Sequence, residues 1–509
     1  MGPRADGNGA MRAWAAALVA FGLATGPAAA QKDQDTLRVT WRDAVADVDP
    51  YYNSQRTGLV LAHNAWDTLI YRDPATLQLK PLLAASWRYA DPTTIEFALR
   101  PGVLFHDGSP LTAEDVVYTV GVATADPRVA VPSLFRFIAG AERVDDLHVR
   151  VKLRTVFPAA LEYLAMALPI LPKAYRERVG PAYSLHPVGT GPYRVAQVDG
   201  TASISLERNE LYFGGPKGRP AIAHLLIREV ADAAAELAAL LDGEADWIWM
   251  FSPSQLDALG RQPNLQVARQ EAMRVAYMLL DAAGRSGADA PLTNPKVRQA
   301  IMMAVDRDAM SRQLMPGGRV LDAPCYPTQF GCDQAAAVHY GYDPAGARRL
   351  LADAGFPDGF DTRLVGYVLP QWTGAIQTYL AAVGIRARVE SLPVAEAVRR
   401  STEGRDPLDL GSWGSYSIND VSAFLPHFFT GGDQDYARDP EVERLVEEGG
   451  ATANPDQRRA AYSAAIKRIS EQAYFMPLFT EVTPYAMVKE LDFKPFADEL
   501  PRFYLATWR

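Results

Sequence analysis

Residues Thr94 to Val120, TIEFALRPGVLFHDGSPLTAEDVVYTV, limit the possible folds more than any other stretch of the chain. Ile95, Phe97 and Leu99 alternate with polar or small residues, the period-two pattern of a half-buried strand. Pro101-Gly102 and Asp107-Gly108 are turn dipeptides, and the apolar run Val103 to Phe105 between them is predicted as a second strand. Thr112 stands at a helix N-cap position, and Asp115, three residues on, completes a capping-box pattern. Val116, Val117 and Val120 give that helix one apolar face. His106 and Asp107 invite a catalytic or metal-binding role, but a His-Asp-Gly turn is read here as structural.

Elsewhere helices and strands alternate. A helical pattern is predicted from Leu59 to Tyr71, and Trp87 is expected in the core. Met273 to Asp281 reads as a strand crossing between domains, and YFMPLFTEVTPYAM as the strand that crosses back. Asn294 and Pro295 supply the N-cap and first residue of a helix, and Asp343-Pro344 opens another that Gly355 stops. Phe360 to Tyr367, a helix over Thr373 to Val383, and a strand holding Ile385, Ala387 and Val389 form a βαβ unit with parallel strands.

A chain of 509 residues with 48% hydrophobic residues can bury large cores and is expected to form two or more domains. Its formal net charge of -9, without any Lys/Arg-rich run, argues against a nucleic-acid partner. Arg12, the apolar run Ala13 to Ala24 and the small residues ending at Ala30 have the order of a secretory signal, with cleavage expected after Ala30. That run is too short to span a bilayer, and no later stretch reaches about 18 continuous apolar residues. No cysteine stands at the cleavage site, so no lipid anchor is expected, and a free periplasmic protein fits best. Cys325 and Cys332 are spaced wrongly for C-x-x-C and are expected to form a local disulfide, worth roughly 2–3 kcal/mol. No G-x-S-x-G, H-E-x-x-H or P-loop pattern is present, so no catalytic residue, metal ligand or cofactor is assigned.

Five phrases share a resemblance: PLLAASW (Pro81 to Trp87), LRPGVLFHDGSPLTAEDVVYTV, GTGPY (Gly189 to Tyr193), ERNELYF (Glu207 to Phe213) and NPKVRQAIMMAVDR (Asn294 to Arg307). In this order they resemble the markers of the extracellular solute-binding proteins of the peptide/nickel class, family 5, which deliver ligands to ATP-driven importers. GTGPY lacks the lysine and context of a phosphate-binding loop. The resemblance implies an α/β, two-lobed periplasmic binding protein fold with a hinge, of the large class with an extra subdomain in lobe one. Lobe one is expected over 31–272, with the subdomain at about 72–180, completed by 482–509; lobe two spans 273–481. It further implies a periplasmic monomer that closes on a peptide-like or other small polar solute and presents it to the membrane subunits of an ABC permease. The alternatives are a nickel- or metallophore-type binding protein of the same family, or a periplasmic chaperone or sensor partner. A secreted hydrolase would need a nucleophile and base, and no such pair is recognisable.

Ligand choice is expected to be written in DLGSWGSYS, Asp409 to Ser417. In peptide-binding relatives an aspartate three positions after the tryptophan holds the ligand's α-amino group. Here Trp413 is present, but Tyr416 stands at that position and Asp420 lies further along. The candidate ligand contacts are therefore Trp413, Tyr416, Asn419 and Asp420, with Tyr51 and Asn53 at the end of the first strand, Trp249 near the hinge, and Trp372. Trp413, Tyr416 and His427 also loosely resemble the set used by nickel-type relatives.

Overall fold

The computed structural model describes Gly2 and residues 35–509, other than 46, 288, 289, 368 and 369. The expected signal segment, Gly2 apart, and its cleavage site after Ala30 lie outside the described residues. Among these, no helix is long and apolar enough to cross a membrane.

The fold is organised by two long antiparallel strands, Leu265–Leu280 and Phe475–Val488, at the centre of a ten-stranded sheet. Leu265 to Glu271 pairs with Val482 to Val488, and Val275 to Leu279 with Phe475 to Thr480. Between the two ladders the register shifts, so that Ala272, Met273 and Arg274 lie opposite Glu481. Such a bulge bends and twists a strand locally, and here it divides the sheet. On one side the order continues through Trp247–Trp249, Thr36–Trp41, His224–Glu229, Ser203–Arg208 and Tyr193–Asp199. On the other it runs through Leu408–Trp413, Phe360–Gly366 and Ile385–Ser391. Phe360–Gly366 is parallel to Ile385–Ser391, with the helix Pro370–Ala382 between them in sequence, which is the expected βαβ unit.

The apolar run after the bulge is continuous because the strand is covered on both faces. Ala276, Met278 and Leu280 enter a core with Ile301, Trp372 and Phe479, while Val275, Tyr277 and Leu279 enter another with Phe428, Tyr462 and Phe475. The other half of the sheet has a separate core, in which Trp247 meets Tyr485, Phe493 and Phe503 at ring distances of 5.3–5.8 Å. The C-terminal residues thus complete the half built from the N-terminal part of the chain.

A four-stranded antiparallel sheet, ordered Ala84–Asp91, Thr94–Leu99, His148–Leu153, Ile138–Arg143, stands apart, covered by the helix Ala113–Ala125. Ile95, Phe97 and Leu99 are buried as their alternation requires. Asp115 accepts from the Thr112 backbone N–H at 2.9 Å and from its hydroxyl at 3.1 Å, completing the cap. Three expectations need correction. Val103 to Phe105 is no strand: Leu104 only bridges to Pro110 while the Phe105 N–H closes the turn onto Ser109. Trp87 lies half-buried, since most side chains of its edge strand face solvent. The helix predicted to Tyr71 is Arg56–Ala65, because the Ala65 carbonyl is taken by the Gly191 N–H and the chain turns into Ile70–Arg72.

That contact explains GTGPY. A Cβ on Gly189 would lie 2.3 Å from the Ala65 oxygen, and one on Gly191 would lie 2.4 Å from the Ala65 carbonyl carbon. These glycines permit close backbone packing rather than phosphate binding. His106 links the same loop to the HDG turn: its Nδ1 accepts from the Gly189 N–H at 3.1 Å, and its Nε2 donates to the Gly191 carbonyl at 3.0 Å. One nitrogen must accept and the other donate, so the imidazole is neutral, and burial lowers its pKa to about 4. Because the folded-state pKa is depressed, the His106 contribution to stability is complete above about 6.5 and is lost as pH falls toward 4. Burial pushes His63 in the same direction, to about 3. In chemical denaturation between pH 8 and 4, His106→Gln should therefore lose stability less steeply below pH 6.5 than wild type. Parallel profiles would place the acid sensitivity elsewhere.

Candidate ligand-binding site

A cavity of about 210 Å³ opens where the bulged strand, both halves of the sheet and the small subdomain meet. Tyr51 and Asn53 line it from the loop after the first strand, and Arg56 and Leu59 from the following helix; Leu134, Phe135 and Met166 from the subdomain; Arg274 from the bulge; and Trp413, Gly414, Tyr416 and Ile418 from the far half. Both halves of the sheet and the subdomain contribute to its wall, so none of them encloses it alone.

The far wall has an unusual backbone. Ser415, Tyr416 and Ser417 all adopt positive φ, at 42°, 50° and 59°. Left-handed conformation costs an L-residue roughly 1–2 kcal/mol, so the turn needs external support. Ser417 Oγ donates to the Asp498 carbonyl at 2.6 Å and accepts from Arg56 at 2.6 Å, while Arg72 donates to the Ser417 carbonyl. On the other side the Gln329 amide donates to Ser415 Oγ and to the Ile418 carbonyl, both at 2.8 Å. The turn directs Tyr416 edge-on to Trp413, with ring centroids 5.0 Å apart and planes at 81°. His427 stacks on Trp413 at 4.6 Å and 6°. Desolvation by its neighbours lowers its pKa to about 4, although the residue is exposed.

Two guanidiniums face this space. Arg274 Nε donates to Glu499 at 3.1 Å, and Arg56 pairs with the same carboxylate at 3.6 Å. A Cβ on residue 414 would lie 3.0 Å from Arg56 Nη2 and 3.5 Å from the Arg274 guanidinium, so Gly414 leaves both cations room. Burial favours a neutral Glu499, but Arg274 and Arg56 outweigh it and hold the pKa below the usual range. Glu481, the other carboxylate near Arg274, is pushed upward by burial toward its neutral form and accepts a hydrogen bond from Ser412. Glu499 is thus the carboxylate that both guanidiniums share. No aspartate or glutamate is among the described residues lining the cavity.

The sequence profile of the bacterial extracellular solute-binding proteins, family 5, matches residues 78–436, well over half of the chain. The chain belongs to this family. Among curated relatives, the glutathione-binding protein GsiB of Pectobacterium atrosepticum is 28% identical, covering 87% of this chain and 88% of its own. Among solved structures, the substrate-binding protein CtaP of Listeria monocytogenes superposes with a TM-score of 0.83 at 20% identity, over 93% of this chain and 99% of that one. The periplasmic binding protein DppA of Helicobacter pylori, solved with the peptide STSA, gives 0.79 at 22%, over 94% and 99%. These likenesses establish the two-lobed periplasmic binding protein fold.

Within this family 5 fold the expected contacts separate into two groups. Trp413, Tyr416, Tyr51 and Asn53 meet at the cavity. Asp420 does not: it is buried with both carboxylate oxygens 2.9 Å from Arg458 and accepts from the Ser422 N–H, so its charge is already matched. Asn419 turns to the same side, where its Oδ1 accepts from Thr328 at 3.3 Å. Trp249 is core, packed against Trp247 and Tyr485. Trp372 is core, edge-on to Phe479 at 5.1 Å. Cys325 and Cys332 are bonded to each other, with Cα atoms 5.8 Å apart. Among the described residues no group of three His, Cys, Asp or Glu side chains could hold a metal ion. Arg56 and Arg274 were missed, since a lone arginine in a helix or a strand looks like an ordinary surface residue. The only sequence signal for Arg274 was its place inside the crossing strand.

Proposed function

We propose that this solute-binding protein captures a small, carboxylate-bearing solute between its lobes and delivers it to the membrane subunits of an ABC permease. The observation that carries this reading is the pair Arg56 and Arg274, sharing Glu499, in a cavity with no carboxylate among its described lining residues. A carboxylate would accept charge-assisted hydrogen bonds from these guanidiniums, while Phe135, Tyr51, Trp413 and Tyr416 cover the apolar part. A cationic solute would meet two like charges. The peptide-like class named for the relatives fits if its acid group, rather than its amine, is the main anchor; glutathione carries two carboxylates. In this reading the lobes divide at residues 272/273 and 481/482, and the protein works as a periplasmic monomer after cleavage behind Ala30. It uses no catalytic residue, cofactor or nucleic acid. The metallophore reading finds less support, because His427 backs Trp413 instead of lining the cavity.

Titration calorimetry with glutathione and with short peptides, each as free acid and as C-terminal amide, tests this. Arg274→Gln should weaken binding of the free acids by about tenfold or more, in line with losing one partner of a buried charge pair. Acids and amides binding alike, and equally in both proteins, would refute the anion reading.

A further inference from the structure

The segment that carries the ligand wall is braced by a second, covalently closed loop. Cys325 to Cys332 forms a short ring, and Gln329 lies inside it, only 3% exposed. Its Oε1 accepts from the Tyr326 N–H at 3.0 Å, its own N–H donates to the Tyr326 carbonyl at 2.9 Å, and its carbonyl accepts from the Cys332 N–H at 3.0 Å. Gln334 ties the ring down by donating to the Cys325 carbonyl at 3.2 Å. With every other polar group held, the Gln329 amide NH₂ projects its two bonds onto Ser415 and Ile418, the two ends of the left-handed turn. Phe330 extends the brace: its N–H donates to the Asn419 carbonyl and its carbonyl accepts from the Val421 N–H, both at 3.1 Å.

Three successive non-glycine residues at positive φ carry a steric cost that the surrounding contacts must offset. The bonds from Arg56, Arg72 and Asp498 all reach Ser417 and come from the opposite lobe, so they slacken if the lobes part. The bonds from Gln329 come from the same lobe as the turn and stay in place whether the cleft is open or closed. We propose that Gln329, held by the Cys325–Cys332 loop, is a positioning residue for the ligand site, keeping Tyr416 in its left-handed, cavity-facing conformation in the open protein. The inference rests on the cavity being the ligand site. It adds a redox dependence, because opening the disulfide frees the loop that holds Gln329.

Hydrogen–deuterium exchange of the ligand-free protein tests the brace without any ligand. The Ser417 N–H is bonded to the Gly414 carbonyl and the Ile418 N–H to that of Ser415, so both report the turn. Gln329→Ala should speed exchange of the peptide covering 414–418 by about tenfold or more, with the rest of the chain unchanged. Cys325→Ser/Cys332→Ser, or reduction of the native protein, should act in the same direction. Adding Ser415→Gly to Gln329→Ala should recover much of the protection, because glycine enters the left-handed region without the steric cost; a merely structural loss would not be recovered. Unchanged exchange in Gln329→Ala, or no recovery with Ser415→Gly, overturns the brace. Tyr416→Ala, read by calorimetry with glutathione and the free-acid peptides, separates the two levels. If it leaves affinity intact, the site reading fails and the positioning role with it. If it weakens binding while Gln329→Ala alters neither exchange nor affinity, only the brace fails.

Discussion

Asp498→Asn should destabilise the protein by about 3–5 kcal/mol, the range for removing one partner of a buried ion pair. Asp498 is completely buried between two guanidiniums, with Oδ2 2.6 Å from Arg502 and 2.8 Å from Arg72. Asparagine keeps the shape and removes the charge, leaving Arg502 without an anion and Arg72 with Glu162 alone, at 2.5 Å. Burial by itself would raise the Asp498 pKa, but Arg502 and then Arg72 overcome it and hold the carboxyl far below the usual range. The sign follows: this stabilisation is full above the ordinary aspartate pKa and is lost as pH falls below it toward the folded-state value. Denaturant melts at neutral pH should show the loss, and melts at strongly acidic pH should show the variant closer to wild type. Glu448→Gln, in an exposed pair with Arg444, should change nothing measurable. If Asp498→Asn melted like wild type, the network joining the tail to the Ser417 turn would not be a structural centre.

Trp413→Ala should lower ligand affinity at least about tenfold, as for an aromatic anchor near the middle of an interface. The side chain is half-buried at the cavity, backed by His427 and held edge-on by Tyr416, so its orientation is set before a ligand arrives. Calorimetry on a folded variant gives the answer, and unchanged affinity would remove Trp413 from the site. Asp420→Asn makes the contrast. Because Asp420 is matched by Arg458 away from the cavity, its loss should reduce stability without selectively weakening cationic ligands.

Sequence reasoning reached the elements whose signal is local. The Thr112 cap, the Asn294-Pro295 helix start and the βαβ unit depend on neighbours within a few residues, and all three form. Trp413 and Tyr416, which line the cavity, were legible because their segment matches one that peptide-binding relatives use to hold ligand. What was not legible depends on partners far along the chain. Asp420 looked free until Arg458, 38 residues later, was seen beside it. Trp249 and Trp372 are large aromatics near the right places, but only the packing of Tyr485 and Phe479 shows that they face cores. Arg56 and Arg274 come together through Glu499, more than 200 residues from Arg274, and no spacing rule connects them. The bulge that unites them arises where two strands change register, which neither strand shows alone.

The most direct test of the central claim is native mass spectrometry of protein purified gently from the periplasm, followed by denaturation and identification of what is released. Wild type is expected to release a small molecule or peptide set bearing a carboxylate, and Arg274→Gln and Trp413→Ala to release much less of it. A released solute with no acidic group, or one retained equally by both variants, would contradict the account.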